Sequence, residues 1–137
     1  MDHVATAERM YDLINASDVD GFGALLADDF VDHEETPGFT PDRDGATAEF
    51  RMYRSAFPDM RMEPEEMFPS GDKVVVRYAC TGTNRGEFMG MPATGKFVAV
   101  GGIDIWRFDD DGLCHEHWGV FDLMSLVQRL GAAPSRP

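Results

Sequence analysis

The spacing of apolar residues changes along this chain, from a helical period in the first third to alternate positions in the remainder. In residues 5–15, the side chains of Met10, Leu13 and Ile14 form one helical stripe. The same reasoning predicts three helices in this part of the chain, the first over residues 5–15. The second is short, is capped by Ser17 or Asp18 and ends at residue 26. The third covers residues 46–57, with Asp44 as its cap and Pro58 at its end.

Short segments with alternating apolar residues fill the second half of the chain. Val74, Val76 and Tyr78 occupy every second position, which is the period of a strand. The extended segments that this pattern predicts are residues 30–33, 61–68, 73–78 with an extension towards residue 85, 96–108 and 113–121. Turns at residues 70–72 and 109–112 join neighbouring strands, and residues 123–130 form a last helix that Gly131 ends.

Helices followed by a run of antiparallel strands predict a single α+β domain over residues 1–137, with residues 131–137 as a loose tail. A curved sheet wrapped around helices would enclose an apolar cavity. Such cavities are frequent binding sites for small molecules. No apolar run approaches the roughly 20 residues that a membrane span needs.

The formal net charge of −13 restricts the possible partners. A surface this acidic repels nucleic acid and anionic membranes, so we expect neither as a partner. Residues 1–5 carry neither the basic nor the apolar region of a secretory signal, and we expect a cytoplasmic protein. Cys80 and Cys114 are then expected to be buried free thiols, because two cysteines in a cytoplasmic protein rarely form a disulfide.

The stretch from Glu116 to Asp122 mixes aromatic and polar residues at the end of the last strand. Alternation places Glu116, Trp118, Val120 and Asp122 on one face of that strand. On a concave face, a carboxylate beside Trp118 would be poorly solvated, which raises its pKa and makes it a usable general base or acid. Asp122 is equally well placed to cap the following helix, and the two roles do not exclude each other.

Three histidines are further candidates. His33 either hydrogen-bonds a substrate carbonyl, as a catalytic or orienting residue, or is a buried structural residue. His115 and His117 lie on the face opposite Trp118, so we expect them to point outward or into a subunit interface. Their spacing suits two metal ligands on a strand, but the sequence suggests no third ligand, and no metal site is predicted.

Asp104 stands in the middle of a strand, where its polar group needs a partner. It could pair with Arg107 or Arg77, face solvent, or act as a second acid in the cavity. The side chains expected to line the cavity or its mouth, with plain apolar core as the alternative, are Trp118, Tyr11, Tyr53, Phe57 and Met91.

An ordered set of short segments extends over nearly the whole chain. Its members are residues 56–59, 71–77, 81–83, 86–96, 103–108, 111–112, 116–118, Asp122 and 128–131. In this order they resemble the SnoaL-like polyketide cyclases, also called the ester cyclase-like group, of the nuclear transport factor two superfamily. The set is typical of the family and points to no particular substrate.

The resemblance implies a cone-shaped α+β barrel, in which a strongly curved, mainly antiparallel sheet packs around about three N-terminal helices and one C-terminal helix. It also implies a homodimer or a larger oligomer, and no metal or organic cofactor. Characterised members close the last ring of an aromatic polyketide by an intramolecular aldol condensation, and their acid/base carboxylate corresponds to Asp122. Asn84 and Cys114 depart from the family pattern. These two departures bear on which substrate fits the cavity more than on the type of reaction.

Three hypotheses of function follow. The first is a cyclase, of isomerase or lyase type, that acts on an apolar, carbonyl-rich, polyketide-like small molecule. Asp122 would be its acid/base residue, and His33 and Trp118 would shape the site. The second is a small-molecule-binding protein without catalysis. The third is a hydrolase on the same scaffold, for which Asp104 and His33 are the candidates to position water.

Overall fold

Three of the four helices lie within the first 56 residues and four of the five strands follow them, as the apolar spacing predicts. The computed structural model describes residues 2–131. Its elements are α1 (His3–Asn15), α2 (Val19–Ala24), β1 (Leu26–Asp32), α3 (Arg43–Ala56), β2 (Arg61–Ser70), β3 (Lys73–Thr83), β4 (Phe97–Phe108), β5 (Cys114–Phe121) and α4 (Leu123–Arg129). The predicted α+β class is confirmed. Residues 132–137 of the predicted tail lie outside the described residues.

Several element boundaries differ from the prediction, most of all where α2 meets β1 and at the cap of α3. Leu26 begins β1 and does not end α2. The cap of α3 is Asp42, whose side chain accepts a hydrogen bond from the amide of Gly45. Asp44 lies in the first turn of the helix, where a negative charge interacts favourably with the helix dipole but does not form the cap.

The strands form one sheet in the order β1-β5-β4-β3-β2. β1 runs parallel to β5, and the other neighbouring pairs are antiparallel. The register shifts at residues 64–66 of β2 and 107–108 of β4, and such bulges increase the local twist of a sheet. Helix α1 packs against β2 and β3, and α2 and α3 pack against β1. This is the predicted cone-shaped fold.

Alternate residues of the central strands face the helices or the outside. On β4, Asp104 is 3% and Trp106 5% exposed, whereas Ile103, on the other face of the same strand, is 50% exposed. On β5, His117 is 6% exposed and Val120 is 76% exposed. The inner face of the sheet therefore carries buried polar side chains, and its outer face carries exposed apolar ones.

The core lies between the helices and the inner face of the sheet. Cys114 is buried in it and Cys80 is half-buried, and both are free thiols as predicted. Burial raises the pKa of Cys114 to about 12 and that of Cys80 to about 11, so both thiols stay protonated near neutral pH. Within residues 2–131, no helix is long and apolar enough to cross a membrane.

Candidate active site

A cavity of about 150 Å³ lies between the inner face of the sheet and the first three helices. Its wall contains seven aromatic rings, from Phe22, Phe30, Phe50, Tyr53, Tyr78, Trp106 and Phe121. The acidic and basic side chains in the wall are Asp32, Glu34, Glu49, Asp104 and His117. An apolar cavity with a few convergent polar groups is the usual form of a small-molecule site.

His117 is at the centre of the polar cluster. Its Nδ1 lies 2.8 Å from Oδ1 of Asp32, and its Nε2 lies 2.8 Å from Oδ1 of Asp104. The sheet brings these groups together, because Asp32 is the register partner of His117 across β1 and β5, and Trp106 is its partner across β4 and β5. The Trp106 ring also stacks on the imidazole, with centroids 4.0 Å apart.

The two carboxylates hold His117 in its protonated form. Burial lowers the pKa of His117, but the hydrogen bonds and charges of Asp104 and Asp32 outweigh burial and raise the pKa to about 10. A protonated imidazole has two N–H donors and no acceptor. Both donors are used here, one by each aspartate.

Asp104 is held from its other side by Tyr11. The Tyr11 hydroxyl donates a hydrogen bond of 2.5 Å to Oδ2 of Asp104, and Nε1 of Trp106 donates to the Tyr11 oxygen over 3.0 Å. Burial, and then the charge of Asp104, raise the pKa of Tyr11, so it stays a neutral donor. The series of hydrogen bonds from Trp106 through Tyr11 to Asp104 fixes the orientation of the cluster.

Glu34 follows β1 and lies beside His117 in the cavity. Ligand atoms of Glu34, Asp104 and His117 all lie within 4.8 Å of one another. Gly119 makes room for this approach, because a β-carbon there would lie 2.5 Å from Oε1 of Glu34 and 2.7 Å from Cε1 of His117. The close contact is therefore possible only with glycine at that position.

The carboxyl group of Glu34 titrates near neutral pH. Burial raises its pKa to about 7, the charge of His117 opposes this rise, and the charges of Asp104, Asp32 and Glu49 add to it. A group with such a pKa can accept a proton and return it under physiological conditions. Glu34 was missed from the sequence because it lies in an irregular segment without periodicity.

Helix α3 contributes two further polar groups, Glu49 and Tyr53. The Thr36 hydroxyl donates to Oε1 of Glu49 over 2.8 Å, and burial raises the pKa of Glu49 in spite of this hydrogen bond. The Tyr53 hydroxyl is buried and has no hydrogen-bond partner among residues 2–131. Burial also raises the pKa of Tyr53, so its hydroxyl is a neutral donor available to a ligand oxygen.

Glu34, Asp104 and His117 form the one group of described residues with the proximity of metal ligands. Their atoms are of the kinds that divalent metals bind. However, Nε2 of His117 hydrogen-bonds to Asp104 at 2.8 Å. A bound metal would have to displace the proton that these two residues share.

Asp122 lies outside the cavity. It is exposed, and its Oδ1 accepts a hydrogen bond of 3.0 Å from the amide of Ser125, at the start of α4. Asp2, Asp18 and Asp42 cap α1, α2 and α3 in the same way. The prediction that Asp122 faces the cavity is therefore wrong, and the alternative prediction of a helix cap is confirmed.

Trp118 and His33 lie together, but on the outer face of the sheet. Their rings stack with centroids 4.8 Å apart, and the side chain of His33 is 39% exposed. Beside them, Glu116 pairs with Arg107 at 2.6 Å. The alternation along β5 is as predicted, but the face with Trp118 is the convex one. The predictions that Trp118 and His33 shape the cavity and that His117 points outward are therefore wrong.

The remaining predicted residues divide between the cavity and the core. Asp104 and Tyr53 line the cavity, and their role in binding a substrate stays a prediction. Tyr11 is buried behind Asp104. Phe57 lines a separate space of about 30 Å³, and Met91 packs against the core. These three side chains do not contribute to the wall of the main cavity.

A cone of curved sheet, closed by helices around a cavity with ionisable groups, defines the class of fold to which this protein belongs. Residues 4–130 match the family model of the SnoaL-like polyketide cyclases. The chain is a member of that family. Among proteins of curated function, none matches this sequence.

Solved structures with the same fold include two from Streptomyces. AclR from Streptomyces galilaeus, a candidate hydroxylase, is 29% identical with a TM-score of 0.86, over 99% of this chain and 85% of AclR. IdmH from Streptomyces antibioticus, a candidate polyketide cyclase, is 29% identical with a TM-score of 0.82, over 96% of this chain and 99% of IdmH. Similar structures thus carry different reaction names, and the reaction has to be argued from the site.

Proposed function

We propose that this protein is an acid/base enzyme of the cyclase type, which acts on a carbonyl-rich small molecule in the internal cavity. Glu34 is the proton-transferring residue in this proposal. The observation that supports it is the position of Glu34 in the cavity wall beside His117, with a carboxyl pKa near 7. Asp122, exposed at the start of α4, takes no part in it.

The proposed reaction is an intramolecular aldol-type ring closure. Ionised Glu34 removes a proton from a carbon that lies between carbonyl groups, and the electron pair spreads over the substrate as an enolate. The Tyr53 hydroxyl donates a hydrogen bond to the enolate oxygen. The enolate carbon then attacks a second carbonyl, and protonated Glu34 delivers its proton to the alkoxide that forms. The cavity contributes by holding the two reacting carbons together.

His117 and Asp104 are positioning residues in this scheme. The positive charge of His117 limits the rise in the pKa of Glu34 that burial causes. Without it, the pKa of Glu34 would be higher still, and less of the carboxyl group would be ionised and able to act as a base at neutral pH. Asp104, held by Tyr11, keeps His117 both protonated and correctly oriented.

The pH dependence of proton abstraction tests this proposal without knowledge of the natural substrate. The probe is 2-indanone, whose methylene groups lie between an aromatic ring and a carbonyl, and the measurement is loss of their proton NMR signal in deuterium oxide. We expect the protein-catalysed rate to rise about tenfold per pH unit below pH 7 and to level off above it, as Glu34 loses its proton.

The other groups that face Glu34 are Asp32, Asp104, Glu49 and His117. His117 keeps its proton up to about pH 10, so it does not produce an inflection near neutrality. An exchange rate no higher than that of buffer would contradict catalysis and would favour the non-catalytic binding protein. A profile without an inflection near pH 7 would contradict the assignment to Glu34.

We further propose that two copies of the chain associate through the outer face of the sheet. Ile103 and Val120 expose 50% and 76% of their surface there, and a groove of about 1020 Å³ runs between them and α4. Its charged lining residues are balanced in sign, Glu65 and Asp122 against Arg77 and Arg129. In a chain with a net charge of −13, such a charge-balanced, partly apolar patch repels a second copy less than an acidic surface would.

Replacement of Val120 by glutamate is expected to convert the dimer into a monomer, because each copy would place a new carboxylate in an apolar interface. Size-exclusion chromatography with light scattering measures the mass. Met89→Glu, at an exposed apolar residue in a loop, is the matched control and should leave the mass unchanged. A monomeric wild-type protein would refute the proposal.

A further inference from the structure

The cavity contains more negative than positive groups. Its wall carries four carboxyl side chains and the single imidazole of His117. Asp32 and Asp104 already use both N–H groups of that imidazole. Within residues 2–131, Glu34 and Glu49 form no ion pair shorter than 4.0 Å. A carboxylate without an ion-pair partner in such a setting is costly, and a bound cation would offset that cost.

The excess carboxyls lie between the cavity and a neighbouring groove. Asp32, Glu34 and Glu49 line the cavity and also a neighbouring groove of about 340 Å³, whose other side is formed by residues 35–41. These three side chains are therefore the boundary between groove and cavity. A negative potential at such a boundary attracts cations and repels anions.

The rest of the cavity suits the body of an organic cation. Seven aromatic rings surround the space beyond the carboxyls, and its volume of about 150 Å³ accommodates an aromatic ring. The faces of aromatic rings attract ammonium groups as well as apolar carbon. A metal ion needs oxygen or nitrogen ligands more than aromatic surface, and His117 offers it no free nitrogen.

From this arrangement we infer that the ligand of the cavity carries a protonated amine, which pairs with Glu49 at the boundary between groove and cavity while its apolar body lies among the aromatic rings. The hydrogen bond from Thr36 holds Glu49 by Oε1 and leaves Oε2 for the ammonium group. The inference rests on the proposed function, since the same molecule presents its carbonyl groups to Glu34 and Tyr53. Molecules whose only charge is a carboxylate are excluded.

Three indanes that differ in one substituent test the inference. They are 2-aminoindane, which is a cation at pH 7, neutral 2-indanol, and the anion indane-2-carboxylate. Titration calorimetry at pH 7 gives the dissociation constants. We expect 2-aminoindane to bind about tenfold more tightly than 2-indanol, and indane-2-carboxylate to bind about tenfold more weakly than 2-indanol.

The variant Glu49→Gln is expected to remove most of the advantage of 2-aminoindane over 2-indanol, because it replaces the carboxylate by a neutral group of the same shape. Glu8→Gln, at an exposed glutamate of α1, is the matched control and should keep the full advantage. Equal binding of amine and alcohol, or a Glu49→Gln variant that keeps the preference, would overturn the inference.

Hydrogen–deuterium exchange of 2-indanone, measured with the same protein preparation, distinguishes this inference from the proposed function. If the protein catalyses exchange but does not prefer 2-aminoindane to 2-indanol, the proposed acid/base function is supported and the cationic ligand is refuted. A preference for the amine without exchange supports the cationic ligand and refutes the enzyme.

Discussion

Replacement of Glu34 by glutamine is expected to lower the rate of 2-indanone exchange by a factor of about 10² to 10⁴, the usual contribution of a general acid–base group. Glutamine keeps the shape of the side chain beside His117 and Gly119, so the cavity should stay intact. It cannot accept the carbon-bound proton at any accessible pH. The inflection near pH 7 should therefore disappear together with the rate.

Two control variants make this experiment decisive. Glu87→Gln removes an exposed loop carboxylate and should leave the rate unchanged. Asp122→Asn tests the position that the family resemblance implies, and it does so without disturbing the fold, because asparagine caps a helix as well as aspartate does. If Asp122→Asn abolished exchange and Glu34→Gln did not, catalysis would take place outside the cavity described above.

The fold was predictable from the sequence because the relevant signals are local. The helical stripe of Met10 and Ile14 and the alternation of Val74 and Val76 each follow from the geometry of a single element. Turns and proline set the boundaries to within a few residues. The misplaced cap of α3 shows the limit, since Asp42 and Asp44 are equally good caps in sequence.

The cavity was harder to predict, because alternation defines two faces of a strand without saying which is concave. Outer positions are usually the polar ones, but here Ile103 and Val120 are exposed on the outside while Asp104 and His117 are buried. The presence of Trp118 therefore favoured the wrong face. One signal was available: the hairpin at residues 109–112 pairs Trp106 with His117, which places Asp104 and His117 on one face.

Glu34 gives no comparable signal. It lies in an irregular segment between β1 and α3, and its position depends on the missing side chain of Gly119, which is far away in sequence. Its pKa depends on burial by other elements and on charges from β1, β4, β5 and α3. Such properties belong to the assembled fold, and a single sequence does not contain them in readable form.

Replacement of His117 by glutamine is expected to lower the free energy of unfolding at pH 7 by about 3–5 kcal/mol, the usual cost of leaving a buried charge without its partner. The side chains of Asp32 and Asp104 are only 13% and 5% exposed, and both would lose their cation. Urea denaturation of the two proteins measures the difference. His115→Gln is the matched control on the same strand, because the acidic partners of His115 are 46–81% exposed and exposed pairs contribute about 1 kcal/mol or less.

The stabilisation by His117 has a defined pH dependence. Its pKa is about 10 in the folded protein and 6.5 when unperturbed. The folded state therefore holds a proton that the unfolded state releases between these values, and the stabilisation is complete below pH 6.5 and lost as the pH rises towards 10. The difference between wild type and His117→Gln should shrink over that interval. If the difference in the free energy of unfolding were independent of pH, or no larger than that of His115→Gln, Asp32 and Asp104 would not be what keeps His117 protonated.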